Sequence, residues 1–237
     1  MINKEGWKKK KLGDICTTTS GGTPNRSNGS YFNGTIPWVK SGELDKGLIL
    51  DTEEKITEEA LKNSSAKVFP KGTLLIALYG ATIGKLAFLG IDACTNQAIC
   101  GIYKNDNIDS NFLYYFLFFK KSSLIDKGIG GGQPNISQGI LKDLKIPVPP
   151  LPIQQQIVSE LDTLNDIISK KKQQLVDLNK LVQATFYDMF GDLHSNPNNF
   201  EVKTFNEIFS LITDGTHQTP TYTDDNINGF KFLGIGG

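Results

Sequence analysis

Several groups of residues have the types and spacing for chemistry. Gly80-Ala81-Thr82-Ile83-Gly84-Lys85 has the outline of a phosphate-cradling loop. It fails on spacing, because three residues separate its glycines where the nucleotide loop needs four. Leu86 also stands where a Ser or Thr would hold magnesium. The segment therefore reads as a turn between strands, with Lys85 able to meet a phosphate. Gly128 to Gly132 is glycine-rich, but no clear helix follows it as a dinucleotide site requires. It reads either as a loop whose backbone approaches a ligand closely or as a plain connector. Asn96-Gln97, Gln133 and Asn135 carry amides of the kind that pair with adenine edges, and Arg26 is of the kind that reads guanine. For the amides the competing reading is scaffold, and for Arg26 an unpartnered loop arginine. Lys8 to Lys11 is either a solvated face or a phosphate-contacting run.

Other chemistries are excluded. Cys16, Cys94 and Cys100 are odd in number and lack metal-ligand spacing, and His194 and His217 are the only histidines. This pattern argues against a zinc site or a histidine-based triad, and the cysteines read as reduced thiols of a cytosolic protein. Neither Asn-Pro-Pro-Tyr nor Asp-Pro-Pro-Tyr occurs, so amino-methylating chemistry is not expected on this chain. No paired-acid and lysine cluster of a nuclease is legible. The lysine-rich start has no secretory character, and no apolar run reaches the roughly 18 residues of a membrane span.

The 237 residues carry zero net charge, which by itself argues against a polyanion partner. The total hides an asymmetry. Residues 1–150 hold 19 basic and 14 acidic side chains, whereas residues 151–237 hold 6 and 11. Opposite balances of this kind mark two unlike parts and hint that the first faces a polyanion.

The elements that must position these groups divide the chain the same way. Residues 1–150 read as mixed α and β. Strands are expected at Ile36 to Val39, with Pro37 placing it near an edge, at Thr73 to Tyr79, Leu86 to Ile91, Ala98 to Tyr103 and Leu144 to Val148. Helices are expected at Thr57 to Asn63 and from Asp109 or Ser110 through Phe112, Tyr115, Phe116 and Phe119. After Pro149-Pro150-Leu151-Pro152 the chain has no Gly or Pro until Gly191. Leu161, Leu164, Ile168, Leu175, Leu178, Val182 and Met189 fall on heptad positions a and d, with Lys171 and Thr185 as polar exceptions. Such a seam asks for a partner helix over roughly 55–60 Å. The other reading is an amphipathic helix packed on its own domain.

An internal repeat follows. Trp7 to Ile15 is echoed by Phe200 to Ile208 at an offset of 193. Gly34 to Val39 is echoed by Gly229 to Gly234, and Gly22-Thr23-Pro24 more loosely by Gly215 to Pro220. The expected organisation is a first domain over 1–150, a long spacer helix over 151–191, and the start of a second, incomplete domain over 192–237. The fold class is α+β, a mixed α/β domain followed by a coiled-coil-type helix.

Four pieces in order carry a resemblance. They are Gly22-Thr23-Pro24 with Gly34 to Val39, Gly80 to Lys85 with Asn96-Gln97, Gly132-Gln133-Pro134-Asn135-Ile136-Ser137, and Ile146 to Leu151 with Gln154-Gln155-Gln156-Ile157. As a set they resemble the DNA-specificity subunit of type I restriction–modification systems, with the chain stopping early in its second target-recognition domain. The resemblance implies a non-catalytic subunit that reads half of a bipartite double-stranded DNA target. It implies docking to methyltransferase subunits that bind S-adenosylmethionine and modify adenine, and to a restriction subunit. ATP, magnesium and S-adenosylmethionine are then expected on those partners, with no cofactor on this chain and a cytoplasmic location. Asn25, Arg26, Lys40, Tyr79, Lys85, Gln133 and Asn135 are the candidate DNA contacts. The heptad residues of 152–190 are the candidate subunit interface, either for a self-dimer or for a missing second helix. The alternatives are a helix-mediated interaction protein without DNA specificity, and a nucleotide-acting enzyme resting only on the glycine loops.

Overall fold

The computed structural model describes residues 6–126, 135–192 and 194–211. Gly128 to Gly132, Gln133, His217 and the echoes at 215–220 and 229–234 lie outside the described residues. The chain forms two compact units, Met1–Lys171 and Lys172–Gly237.

The first unit opens with β1 (Lys8–Lys11), α1 (Leu12–Ile15) and β2 (Thr18–Ser20). A 3₁₀ turn at Gly29–Phe32 leads to β3 (Ile36–Val39), and a second at Ser41–Lys46 leads to β4 (Leu48–Ile49), β5 (Glu54–Ile56) and α2 (Glu58–Lys62). Then come β6 (Leu74–Ala77), β7 (Leu86–Leu89), β8 (Cys94–Thr95) and β9 (Ile99–Ile102). They are followed by α3 (Ser110–Asp126), α4 (Gln138–Lys142), β10 (Lys145–Val148) and the long α5 (Leu151–Phe190).

Among the described residues, ten short strands make three sheets, in the orders β2-β9-β6-β7-β4, β5-β3-β8 and β1-β10. The central strands β6 and β9 are buried at every residue, which is why they read as unbroken apolar runs rather than alternating ones. Their side chains still alternate between two cores. Leu74, Ile76, Cys100 and Ile102 face a cluster with Leu12, Phe112, Leu117 and Ile146. Leu75, Ala77 and Ile99 face another with Val39, Leu44, Ile49 and Phe69. A smaller third core holds Trp38, Ile56, Ala60, Ala66 and Cys94.

The edge position expected for the Ile36 strand is corrected. β3 is the middle strand of its sheet, antiparallel to β5 and parallel to β8. Pro37 is tolerated because β8 pairs only with Trp38 and Val39, so Pro37 has its one partner, Lys55, on β5. Helix starts follow the sequence closely. The Thr57 hydroxyl accepts from the Ala60 N–H at 3.1 Å. Asp109, rather than Ser110, caps α3, its carboxylate accepting from the Asn111 and Phe112 N–H groups at 2.9 and 3.0 Å. Pro152 sits in the first turn of α5, where a missing N–H costs nothing. At the other end the Gly191 N–H bonds to the Tyr187 carbonyl at 2.8 Å with φ of +70°, a left-handed stop that glycine adopts without strain.

In the second unit α5 finishes and the chain turns through Asn196 and Asn199, both at positive φ. The Asn196 side chain donates to the Phe200 carbonyl and accepts from its N–H, both at 2.8 Å. The short α6 (Phe205–Ile208) follows.

Candidate nucleic-acid interface

Segments far apart in sequence assemble around the carboxyl end of β6. Gly22 packs so tightly that an added Cβ would lie 2.2 Å from the Ser65 carbonyl carbon, so only glycine fits. Its N–H bonds to the Thr95 carbonyl at 2.9 Å, and its own carbonyl accepts from the Trp38 indole N–H at 3.0 Å. Next along, the Thr23 hydroxyl donates to the Gln97 side-chain carbonyl. Burial pushes the nearby Tyr79 phenol upward, and Gln97 works against that shift. Tyr79 in turn forms a backbone bridge with Asn135, and the Ile136 N–H bonds to the Leu78 carbonyl at 2.8 Å. Residues of the Gly-Thr-Pro and Asn-Gln pieces and of the Asn135-Ile136 segment, with Tyr79 just before Gly80, thus gather at this end of β6. Gln97 and Asn135 are exposed there. Asn96 points inward, its Oδ1 buried without a hydrogen-bond partner among the described residues, which favours scaffold for that amide.

Gly80 to Lys85 is a turn between β6 and β7, as its spacing indicates. Gly80 and Gly84 take φ of +80° and +72°. Hydrogen bonds from the Gly84 N–H to the Ala77 carbonyl and from the Ala77 N–H to the Lys85 carbonyl close it at 2.8 and 2.9 Å. The Lys85 ammonium is paired with Asp45 at 2.5 Å.

Arg26 is not the unpartnered loop arginine that its sequence setting allows. Its guanidinium lies 4.2 Å from the centre of the Phe32 ring and 4.7 Å from that of Trp38. Its Nη1 donates to Glu54 at 2.6 Å. The other Glu54 oxygen meets the Lys40 ammonium at 3.2 Å, and Lys40 also holds Glu53 at 2.7 Å. Burial works to raise the Glu54 carboxyl, but Arg26 and Lys40 together outweigh it and hold the group below the usual carboxylate range. Asn25, beside Arg26, accepts from the Ser27 N–H in a local turn.

Lys8 to Lys11 form an exposed strand paired with β10, where Lys11 sits opposite Lys145. Like charges in that position repel, and the Lys11 ammonium turns to Asp143 at 2.7 Å. The three cysteines are buried apart from any disulfide, and desolvation pushes each thiol up to about 11.

The root of α5 is fixed by a glutamine. Gln154 is fully buried; its side-chain carbonyl accepts from the Asp109 N–H at 2.8 Å, and its amide donates to the Pro149 carbonyl at 2.8 Å. Nothing in the Gln154-Gln155-Gln156 run distinguishes the first glutamine, although its neighbours are exposed. Two to three turns further along α5, the Tyr115 hydroxyl donates to Asp162 and accepts from the Asn165 amide. Trp7, Phe116, Phe119, Pro147, Leu161 and Ile168 line an apolar groove of about 520 Å³ between α3 and α5. Leu161 is half-buried there, whereas Leu164, Ile168, Leu175, Leu178, Val182 and Met189 are exposed along α5. No helix among the described residues is long and apolar enough to cross a membrane.

The sequence model of the type I restriction modification DNA specificity domain matches residues 4–178. The chain belongs to that family. The MjaIX specificity subunit of Methanocaldococcus jannaschii is 35% identical over 191 residues, covering 78% of this chain and 44% of that protein. The EcoR124I/EcoR124II specificity subunit of Escherichia coli is 30% identical over 199 residues, covering 80% and 48%. The chain thus spans about half the length of the curated relatives it matches. The crystal structure of the HsdS subunit from Thermoanaerobacter tengcongensis shares the fold, with a TM-score of 0.60 at 22% identity over 81% of this chain and 46% of that one. A chain from a structure of type I restriction–modification complex assembly superposes with a TM-score of 0.62 at 20% identity, covering 78% and 45%.

Proposed function

We propose that this chain is a sequence-specific DNA-recognition subunit of a type I restriction–modification complex. The first unit reads one half of a bipartite duplex target. Helix α5 is the spacer and the docking surface for methyltransferase subunits. S-adenosylmethionine, ATP and magnesium belong to those partners and to the restriction subunit, adenine is the modified base, the complex works in the cytoplasm, and this chain carries out no covalent step. The observation that carries the reading is the meeting of Thr23, Gln97 and Asn135, from three of the pieces that carry the resemblance, beside Tyr79 just beyond β6. Asn25, Arg26, Lys40, Tyr79, Lys85, Gln133 and Asn135 are the proposed DNA contacts.

The test is to express the chain with its methyltransferase subunits in a host lacking other adenine methylation and to map methylated adenines. A defined sequence methylated only when this chain is present is the expected result. An unchanged methylation map overturns the reading.

A second reading is favoured by the exposed a and d residues of α5. Here the chain is a half-subunit that pairs with a second copy through residues 152–190, or an interaction protein without its own specificity. Light scattering separates these, since a strict monomer at high concentration excludes the self-pair.

A further inference from the structure

Arg26, Glu54, Lys40 and Glu53 form, in that order, an alternating quartet of two cations and two anions. Glu54 is its centre, the one member bonded to both cations. Its side chain is 27% exposed, against 49% for Arg26, so the carboxylate lies beneath a partly open guanidinium. Strand register explains the placement, because Glu54 on β5 is the direct cross-strand partner of Trp38 on β3. Trp38 and Phe32 in turn give the guanidinium its platform. The stack holds the plane of the donor fork, and the carboxylate occupies one edge of it. An arginine so held meets a new acceptor in that plane, where the Glu54 carboxylate already occupies one donor and competes for the charge.

We propose that Glu54 acts as a brake on DNA binding by this face. It compensates the charges of Arg26 and Lys40, so that these cations engage DNA only where an acceptor in the guanidinium plane displaces the carboxylate. Glu54 is thus a positioning and specificity-determining residue that acts through Arg26 and Lys40 without touching DNA. This rests on the DNA-recognition reading above.

The test is a salt titration of the purified full chain on a duplex of scrambled sequence. Glu54→Gln keeps the shape and removes the charge. It should bind scrambled duplex about fivefold tighter, as expected when a partly exposed ion pair is released. Its plot of log affinity against log salt should steepen by roughly 0.9 for each cation that reaches a phosphate. A purely structural role for Glu54 would lower affinity or leave it unchanged. In an Arg26→Ala, Lys40→Ala background the gain should vanish. Glu59→Gln on α2 removes the same charge outside the quartet and should change affinity by less than about twofold at physiological salt. No gain for Glu54→Gln, a gain that survives loss of both cations, or an equal gain for Glu59→Gln each overturns the brake. Methylation mapping is a separate readout. A chain that directs methylation yet shows no Glu54→Gln gain loses the brake and keeps its role in recognition, while a chain that directs none loses that role.

Discussion

Leu12–Ile15 and Phe205–Ile208 occupy the same place in two copies of one sequence pattern, and each folds into a single helical turn. Each turn is closed by the same hydrogen bond, from the Cys16 N–H to the Leu12 carbonyl and from the Phe209 N–H to the Phe205 carbonyl, both at 2.8 Å. What differs is the support. α1 has no side-chain cap. Its Leu12 is fully buried, with an N–H that bonds to the Leu144 carbonyl at 2.9 Å, and the strand before it is paired to β10. α6 is capped by its own Glu207 carboxylate, which accepts from the Thr204 N–H at 2.6 Å and from its hydroxyl at 2.8 Å. Its Phe205 is 71% exposed and the preceding Val202 is 84% exposed. The pair teaches that the local pattern sets the turn, while burial of its apolar side comes from distant elements. A buried turn needs no cap of its own, and an exposed one is held by its cap.

The widest separation between the two turns should appear in stability. Leu12→Ala leaves a cavity in the main core and should cost about 2–4 kcal/mol in denaturant unfolding. Phe205→Ala should stay within about 0.5 kcal/mol. Equal costs would break the comparison. Thiol labelling comes next. Cys16 is buried with its thiol pushed up to about 11, so native protein at neutral pH should leave it unlabelled. Phe209→Cys, at the equivalent position, should react at the rate of a free cysteine. Leu12→Ala should then expose Cys16 to the reagent. A smaller effect concerns the cap. Thr204→Ala should fray α6, seen as lost amide-exchange protection at residues 207–209, without moving the global unfolding midpoint.

The smallest effect is a pH dependence. Hydrogen bonds from the Thr204 backbone and then its hydroxyl lower the Glu207 carboxyl below its ordinary value. A lowered carboxylate stabilises the cap at pH values above the ordinary carboxylate range, and that support is lost as pH falls through the depressed value. Amide shifts of Thr204 should therefore hold steady at neutral pH and move only below the ordinary glutamate range.

Much of this was legible in the chain. The apolar runs of β6, β7 and β9 marked the central sheet, and the stretch without Gly or Pro marked α5 to within a residue. Strand β1 was not legible, because four lysines carry no alternation and their extended form comes from pairing with β10. Strands β4 and β8 have two residues each, too few for any period to register. The place of Pro37 depended on where β8 begins, which no local pattern encodes. At the candidate interface, the Gly-Thr-Pro and Asn-Gln pieces marked segments that the fold joins through Thr23 and Gln97. The partners of Arg26 were hidden because Glu54 lies 28 residues away and meets it only through cross-strand register.

Gln154 gives the base of α5 a mechanical meaning. A rod fixed at one end magnifies any error at its mounting. From Gln154 to Lys171 the helix rises roughly 25 Å. A tilt of about 8° at the mounting would swing that turn by about 3.4 Å, the advance of one base pair along a strand. Two hydrogen bonds made by one buried amide, with the Asp109 N–H and the Pro149 carbonyl, therefore set the angular tolerance of the helix at its mounting. Gln154→Ala should loosen that angle without changing the length of the helix.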